Sequence, residues 1–303
     1  TFLIMYIRFF DFKKKPFALT PDPEFLYLSP KHKKALTVLQ YGLMSQAGFT
    51  VVSGQIGSGK TTLINYVQNT ITDDCVVGLI TNTHSVFGDL LTWVLAAFNI
   101  KTTASDKAQR YQVLVDFFKE QFNHQKRVIL IVDEAQNMDL QTLEELRLLS
   151  NINSGSDIML QMVLVGQPEL INKLKSPELL QFAQRVSVAF HLTSLNYEQT
   201  EKYIYHRLGV AGGSLELFTK TACAAVYYFT AGVPRVINNI CDLALVFAFA
   251  EDEELVTFKT VLEVIKEKKM GGIVALQVIA TEETEQIKQL IMAQEGIDLA
   301  EFD

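Results

Sequence analysis

Cysteine is scarce in this chain. Only Cys75, Cys223 and Cys241 occur in 303 residues, and none sits in a CxxC pair. An odd, scattered set excludes a disulfide framework and a zinc site of paired thiols. It fits a reducing compartment and leaves the three as small buried hydrophobes. Long apolar runs are also missing. Crossing a bilayer takes ~20 such residues, whereas the longest stretches here, Val128 to Val132 and Leu243 to Ala250, have the length of core strands or of part of a core helix. The apolar opening, Thr1 to Tyr6, has no basic residues ahead of it and does not read as a signal peptide; Met5 is a candidate natural start. Strong charge bias is absent too. Lys and Arg number 27 against 34 Asp and Glu, a net charge of −7. Seven acids and one lysine lie from Gly271 onward, so most of that charge belongs to the last segment, which reads as a solvated acidic tail. The near-neutral body excludes a surface given over to nucleic acid and leaves room for a local patch. With 49% hydrophobic and 20% charged residues, the chain buries enough surface to fold, and dominant disorder is excluded.

What is present is alternation. Residues 1–45 are mixed, with Phe9, Phe10, Phe12, Pro16 and Phe17 around the basic run Lys13 to Lys15, then Thr20-Pro21-Asp22-Pro23, whose prolines forbid a helix. Ser29-Pro30 opens a helix to about Gly42. From Phe49 onward, strands at Phe49 to Ser53, Val76 to Thr81, Arg127 to Val132, Met159 to Val165 and Val188 to Leu192 interleave with helices at Thr61 to Thr70, Ser85 to Asn99, Asp106 to Phe122, Asp139 to Ser150 and Pro168 to Lys175. Such a pattern predicts an α/β domain on a mostly parallel sheet. After Leu195 only helices follow, at Tyr197 to Leu208, Leu215 to Thr230, Pro234 to Ala250 and Phe258 to Lys268. Gly271-Gly272 closes this second, helical domain. Val274 to Ala280 reads as strand or helix, and Glu283 to Ala293 as helix. The expected domains are residues 1–45, 46–195, 196–269 and 270–303.

The strongest chemical signal is Gly54-Gln55-Ile56-Gly57-Ser58-Gly59-Lys60-Thr61, followed by Thr62. It matches the GxxxxGK[ST] phosphate loop. Glycines let successive N–H groups turn inward around phosphate oxygens at the positive end of a helix. Lys60 then reaches the β- and γ-phosphates, and the Thr61 hydroxyl binds Mg2+. A strand leads into this loop and a helix leads out, which a flexible glycine linker would not require. Arg127 to Val132 followed by Asp133-Glu134 supplies the partner element. Asp133 is placed to hold Mg2+ and Glu134 to act as general base on water. Gln167 ends the Leu164-Val165-Gly166 strand, where parallel sheets bind ligands. It reads either as a contact to water or γ-phosphate or as a backbone-bonded strand end. Arg235, in Gly232-Val233-Pro234-Arg235, sits in a first helical turn against the dipole, which makes sense if it points at phosphate. Arg185 precedes the last strand and reads as an arginine finger toward a neighbouring subunit or as a surface ion-pair residue.

Together with Phe9-Phe10, Pro16-Phe17, Thr20 to Pro23, Phe25 to Ser29, Val132 to Gln136, Leu143 to Asn151 and Gly166 to Leu170, these motifs resemble the ExeA-type AAA+ ATPases of the general secretion pathway. That family is related to exosortase-associated and TniB-like ATPases. The resemblance spans about Phe9 to Lys268. It implies a P-loop core of the ASCE type with a helical lid. Gln167 would be sensor 1, Arg185 the finger and Arg235 sensor 2, with Pro16-Phe17 near the adenine. It implies ATP and Mg2+ as ligands and a homo-oligomer, as a ring or formed on nucleotide. It also implies protein partners in a secretion or surface-polymer export machine. The expected location is cytoplasmic or peripheral to the inner membrane. Long members carry a transmembrane segment and a peptidoglycan-binding domain, and this sequence shows neither, so it reads as the short branch or as a fragment. A TniB-like, DNA-associated ATPase is the alternative; the near-neutral body disfavours it despite Lys13, Lys14, Lys15, Lys31, Lys33 and Lys34.

Overall fold

A computed structural model describes residues 2–20, 22–71, 74–81, 89–154, 157–271 and 279–302. The chain forms two compact units. One is Pro30–Ile56 with Lys60–Thr193; the other is Thr1–Ser29, Gly57–Gly59 and Ser194–Asp303.

In chain order, α1 (Phe2–Phe9) belongs to the second unit, and α2 (Pro30–Met44) opens the first. There follow β1 (Phe49–Gly54), α3 (Lys60–Thr70), β2 (Cys75–Ile80), α4 (Leu90–Ala97), α5 (Lys107–Asn123), β3 (Arg127–Val132) and α6 (Leu140–Leu149). A two-stranded antiparallel hairpin, β4 (Asn153–Ser154) and β5 (Asp157–Ile158), leads to β6 (Leu160–Gly166), α7 (Pro168–Leu174), α8 (Leu180–Ala183) and β7 (Val186–Leu192). The five long strands are all parallel, in the order β2-β3-β6-β1-β7.

Strand period two explains the layers. Along β3, Val128, Leu130 and Val132 face one side, where Leu91 and Val94 of α4, Leu114 and Phe118 of α5 and Leu143 and Leu146 of α6 pack. Ile129 and Ile131 face the other, against Leu39 and Leu43 of α2 and Ile64 and Val67 of α3. Covered on both faces, β3 and β6 are continuous apolar runs, as the sequence implied. The α/β fold with a parallel P-loop-type sheet is therefore present. Of the helix expected over Ser85 to Asn99, the described part is α4, which Asp89 caps by accepting from the Thr92 N–H; residues 82–88 lie outside the described residues.

The second unit is helical, with α9 (Tyr197–Val210), α10 (Lys220–Thr230), α11 (Pro234–Ala250), α12 (Phe258–Gly271) and α13 (Glu282–Glu295). α10 is buried all round from Thr221 to Thr230 and is the central helix, packed by α9, α11, α12 and α13. The single helix expected over Leu215 to Thr230 is divided. A 3-10 turn spans Leu215–Leu217, Phe218 is extended and bridges Val256, and Thr219 caps α10 through the Ala222 N–H. α10 ends at Ala231, in the left-handed region, and Gly232 follows at φ +68. A Cβ at Gly232 would lie 1.8 Å from the Leu195 carbonyl oxygen, so only glycine fits this turn.

Both chain ends are built into this unit. α1, which the mixed opening concealed, sets Phe9 edge-on to Phe249 of α11 (5.4 Å) and donates from the Tyr6 hydroxyl to Asp242 (2.8 Å). The Asp242 carboxylate and burial push the Tyr6 phenol far above its ordinary value, with burial the larger cause. Phe17 meets Phe218 (5.8 Å), and buried Arg207 donates to the carbonyls of Pro16 (2.6 Å) and Ala18 (3.2 Å). The acidic segment expected to be solvated is instead packed. Ile287 and Ile291 of α13 are 3% and 0% exposed, and Glu283 accepts from the Tyr197 N–H (2.9 Å) and the Tyr227 hydroxyl (2.5 Å). Glu282, Glu285 and Glu295 stay exposed on an amphipathic helix whose apolar stripe the charge count had hidden. The stretch Val274 to Ala280 falls almost wholly outside the described residues. No helix among the described residues is long and apolar enough to cross a membrane.

This packing makes a stability prediction. Ile291→Ala removes a fully buried side chain and should cost ~2–4 kcal/mol in urea unfolding. Met292→Ala, next to it and 48% exposed, should stay within ~0.5 kcal/mol of wild type. Equal, small effects would mean that α13 is not docked.

Candidate active site

Register brings three strand ends together. Ser53 of β1 pairs with Gly166 of β6, and Val132 of β3 pairs with Leu164 of β6. The phosphate loop, Asp133-Glu134 and Gln167 thus leave the sheet from three adjoining strands, at the carboxyl edge where parallel sheets bind ligands.

The loop needs its glycines. Gly57 and Gly59 have φ of +78 and +96, which L side chains avoid. α3 begins at Lys60, so its first-turn N–H groups lie where the loop ends. The Lys60 ammonium is 5% exposed and folds back on the loop, donating to the carbonyls of Gly54 (2.8 Å) and Gln55 (3.0 Å). Among the described residues it makes no ion pair. Burial pushes its amine below the ordinary lysine value, opposed by the charges of Glu134, Asp133 and Glu169. A buried cation held only by neutral carbonyls is a receptor for an anion.

The Thr61 hydroxyl donates to Asp133 Oδ2 (2.9 Å). Burial holds the Asp133 carboxyl above the usual carboxylate range, against the lowering effect of that hydrogen bond. Two hard oxygen donors side by side, next to an anion receptor, fit Mg2+, which takes one or two protein ligands and completes its shell with water and phosphate. No cluster of three or more His, Cys, Asp or Glu able to hold a metal occurs among the described residues.

Glu134 has left-handed backbone angles, φ 54 and ψ 35. A non-glycine residue there is uncommon and collects at functional positions. Its Oε2 accepts from Gln136 Nε2 (2.5 Å) and from Gln167 Nε2 (3.3 Å). The Gln167 N–H donates to Gln136 Oε1 (3.0 Å). Lys173 of α7 donates to the carbonyls of Gln136 (2.5 Å) and Met138 (2.7 Å), pinning the 3-10 turn Ala135–Asn137. The structure joins Gln167 to Glu134 by its side chain and to the Gln136 amide oxygen by its backbone N–H. Gln136 and Lys173 are additions. The signal for Gln136 lay in the Val132 to Gln136 motif, but its second partner, Gln167, follows another strand.

The other expected site residues are placed as follows. Arg185 is exposed and donates from Nη1 to the Ser150 hydroxyl (2.9 Å). The nearby Glu144 is taken by Arg147 in a forked pair, and among the described residues Arg185 makes no ion pair. Arg235 is exposed in the first turn of α11, in the unit that also includes Gly57–Gly59. There its N–H donates to the Gly57 carbonyl (3.2 Å), and a Cβ at Gly57 would come within 2.6 Å of the Arg235 Cβ. Pro16 and Phe17 are buried in the helical unit, Phe17 at 1% exposure. Of the local basic cluster, Lys14 pairs with Glu24 and Lys15 with Asp242, so part of its charge is already neutralised.

Comparisons with known proteins agree with this geometry. A family model described as an AAA domain matches residues 43–174. General secretion pathway protein A of Aeromonas hydrophila is 36% identical over 250 residues, covering 81% of this chain and 45% of that one. The chain thus corresponds to less than half of that relative. Among solved structures, Cdc6p of Pyrobaculum aerophilum matches with a TM-score of 0.63 at 13% identity, over 91% of this chain and 85% of that one. The ORC2 protein of Aeropyrum pernix, in its ADPNP–ADP complexes, matches with a TM-score of 0.61 at 14% identity, over 95% and 86%. At such identities the likeness is one of fold.

Proposed function

Because the chain belongs to the ExeA-type family of AAA+ ATPases, that of general secretion pathway protein A, we propose that it binds ATP with Mg2+ and hydrolyses it as an oligomeric motor or switch. The machine it serves is one for secretion or surface-polymer export. The observation that carries this reading is the buried Lys60, whose ammonium donates to two loop carbonyls and makes no ion pair among the described residues, beside the Thr61–Asp133 oxygen pair and Glu134.

Lys60 and the first-turn amides of α3 bind the β- and γ-phosphates. Thr61 and Asp133 hold Mg2+, which supplies charge neutralisation at those phosphates. Glu134 takes a proton from the attacking water as the new bond to the γ-phosphorus forms and the bond to the β-phosphate oxygen breaks. Arg235 acts on the phosphates as sensor 2, and Pro16-Phe17 borders the adenine. Arg185, which makes no ion pair among the described residues, acts in trans on a neighbouring subunit's nucleotide. The proposed location is the cytoplasm or the inner face of the membrane, with proteins of the export machine as partners.

Lys60→Ala should lose nucleotide binding in calorimetry while keeping its thermal unfolding; wild-type affinity would remove the phosphate-loop assignment. Glu134→Gln should keep binding and lose ~10²–10⁴ in turnover, the usual contribution of a general base. Arg185→Ala should bind ATP normally and hydrolyse up to ~10³–10⁵ more slowly, as fingers do. Wild-type turnover per subunit should rise with protein concentration. Mixing Arg185→Ala with Lys60→Ala should recover activity, because an intact loop meets an intact arginine at mixed interfaces. Concentration-independent turnover with no recovery would make the protein a monomeric ATPase.

A further inference from the structure

We infer that Gln136 is a positioning residue for hydrolysis, holding the Glu134 carboxylate in the orientation from which it takes a proton from water. The inference rests on Glu134 being the general base.

The orientation of the Gln136 amide is dictated by its neighbours. A backbone N–H can only donate, so the atom facing the Gln167 N–H must be the amide oxygen. The structure has Oε1 there, at 3.0 Å. The NH2 group is then turned to Glu134, whose Oε2 accepts it at 2.5 Å. Flipping the amide would set donor against donor on one side and oxygen against carboxylate on the other. The turn that carries Gln136 is fixed as well, by Lys173 on the Gln136 and Met138 carbonyls.

Two features show that the site is built around this amide. Gln136 is 8% exposed, so its polar atoms must find partners inside the protein, and they do. Gly166 supplies the space. A Cβ there would lie 2.9 Å from both Gln136 Oε1 and Leu170 Cδ2, tighter than real contacts allow, so a side chain at the end of β6 would crowd the amide. Glu134 needs such support. Its backbone is in the left-handed region, and without anchors its side chain would sample rotamers away from the water. Gln167 reaches the same oxygen from 3.3 Å, so Gln136 is the shorter of two amide anchors on one carboxylate.

The test separates this role from a packing role. Gln136→Met keeps the length and loses both hydrogen bonds. Gln136→Glu keeps an oxygen for the Gln167 N–H, but loses the donor and sets a second carboxylate against Glu134. With both proteins folded by thermal melting, steady-state ATP hydrolysis should show KM near wild type and kcat lower by ~10-fold or more in each, within the ~10²-fold that small misplacements of catalytic groups cost. In a Glu134→Gln background, Gln136→Met should add no further loss, since the group it positions is gone. Wild-type kcat in Gln136→Met, restoration by Gln136→Glu, or losses that multiply in the double variant would each overturn the inference. Full activity in Glu134→Gln would overturn the base assignment and this inference together. A slow Glu134→Gln beside a fast Gln136→Met overturns this inference alone.

Discussion

The pairing of β6 between β1 and β3 is the constraint on which the site depends. It is a backbone register, indifferent to side-chain chemistry, yet it sets the phosphate loop, the acidic pair and Gln167 on neighbouring strand ends. A slip of one residue along β6 would invert its faces, burying the wrong side chains against both helical layers and moving Gly166 out from under Gln136. The fitted packing of β3 and β6 on both faces therefore protects the chemistry at their ends. Stability and site geometry are coupled through the same run of Val, Leu and Ile.

Burial then sets the character of the charged groups. Lys60 and Asp133 both sit at 5% exposure, and desolvation pushes each toward its neutral form. Such a pair is costly to keep unless a ligand of complementary charge completes it. The site holds its functional ions in a state that a phosphate–metal complex would relieve, which is the electrostatic form that preorganised binding takes.

Much of this was legible in the sequence, and particular residues show why. β3 runs from Arg127 to Val132, as read, because a short run rich in Val and Ile suits a strand covered on both faces. α11 runs from Pro234 to Ala250, as read, because glycine and proline punctuate its start. Loop and acidic pair were recognisable because their chemistry is local in sequence. The rest was lost where meaning depends on a distant partner. α1 is too short and apolar to be read as a helix until Phe249 and Asp242 are beside it. Glu283 counted as one more surface acid until the Tyr197 amide and the Tyr227 hydroxyl appeared. Gln136 had no visible task without Gly166, thirty positions away.

The helical unit is made from both extremities of the chain. Phe9 rests on Phe249, Arg207 grips Pro16 and Ala18, and Glu283 closes over the first turn of α9. On a ribosome, where segments become available in order of synthesis, the opening twenty-nine residues have no docking surface until those beyond Ser194 arrive. The sheet unit, contained between Pro30 and Thr193, can close in the meantime. Glu283 reaches an amide made more than eighty residues earlier. The sheet thus matures as an internal insertion, and the helical unit is completed only after Glu283 has been made.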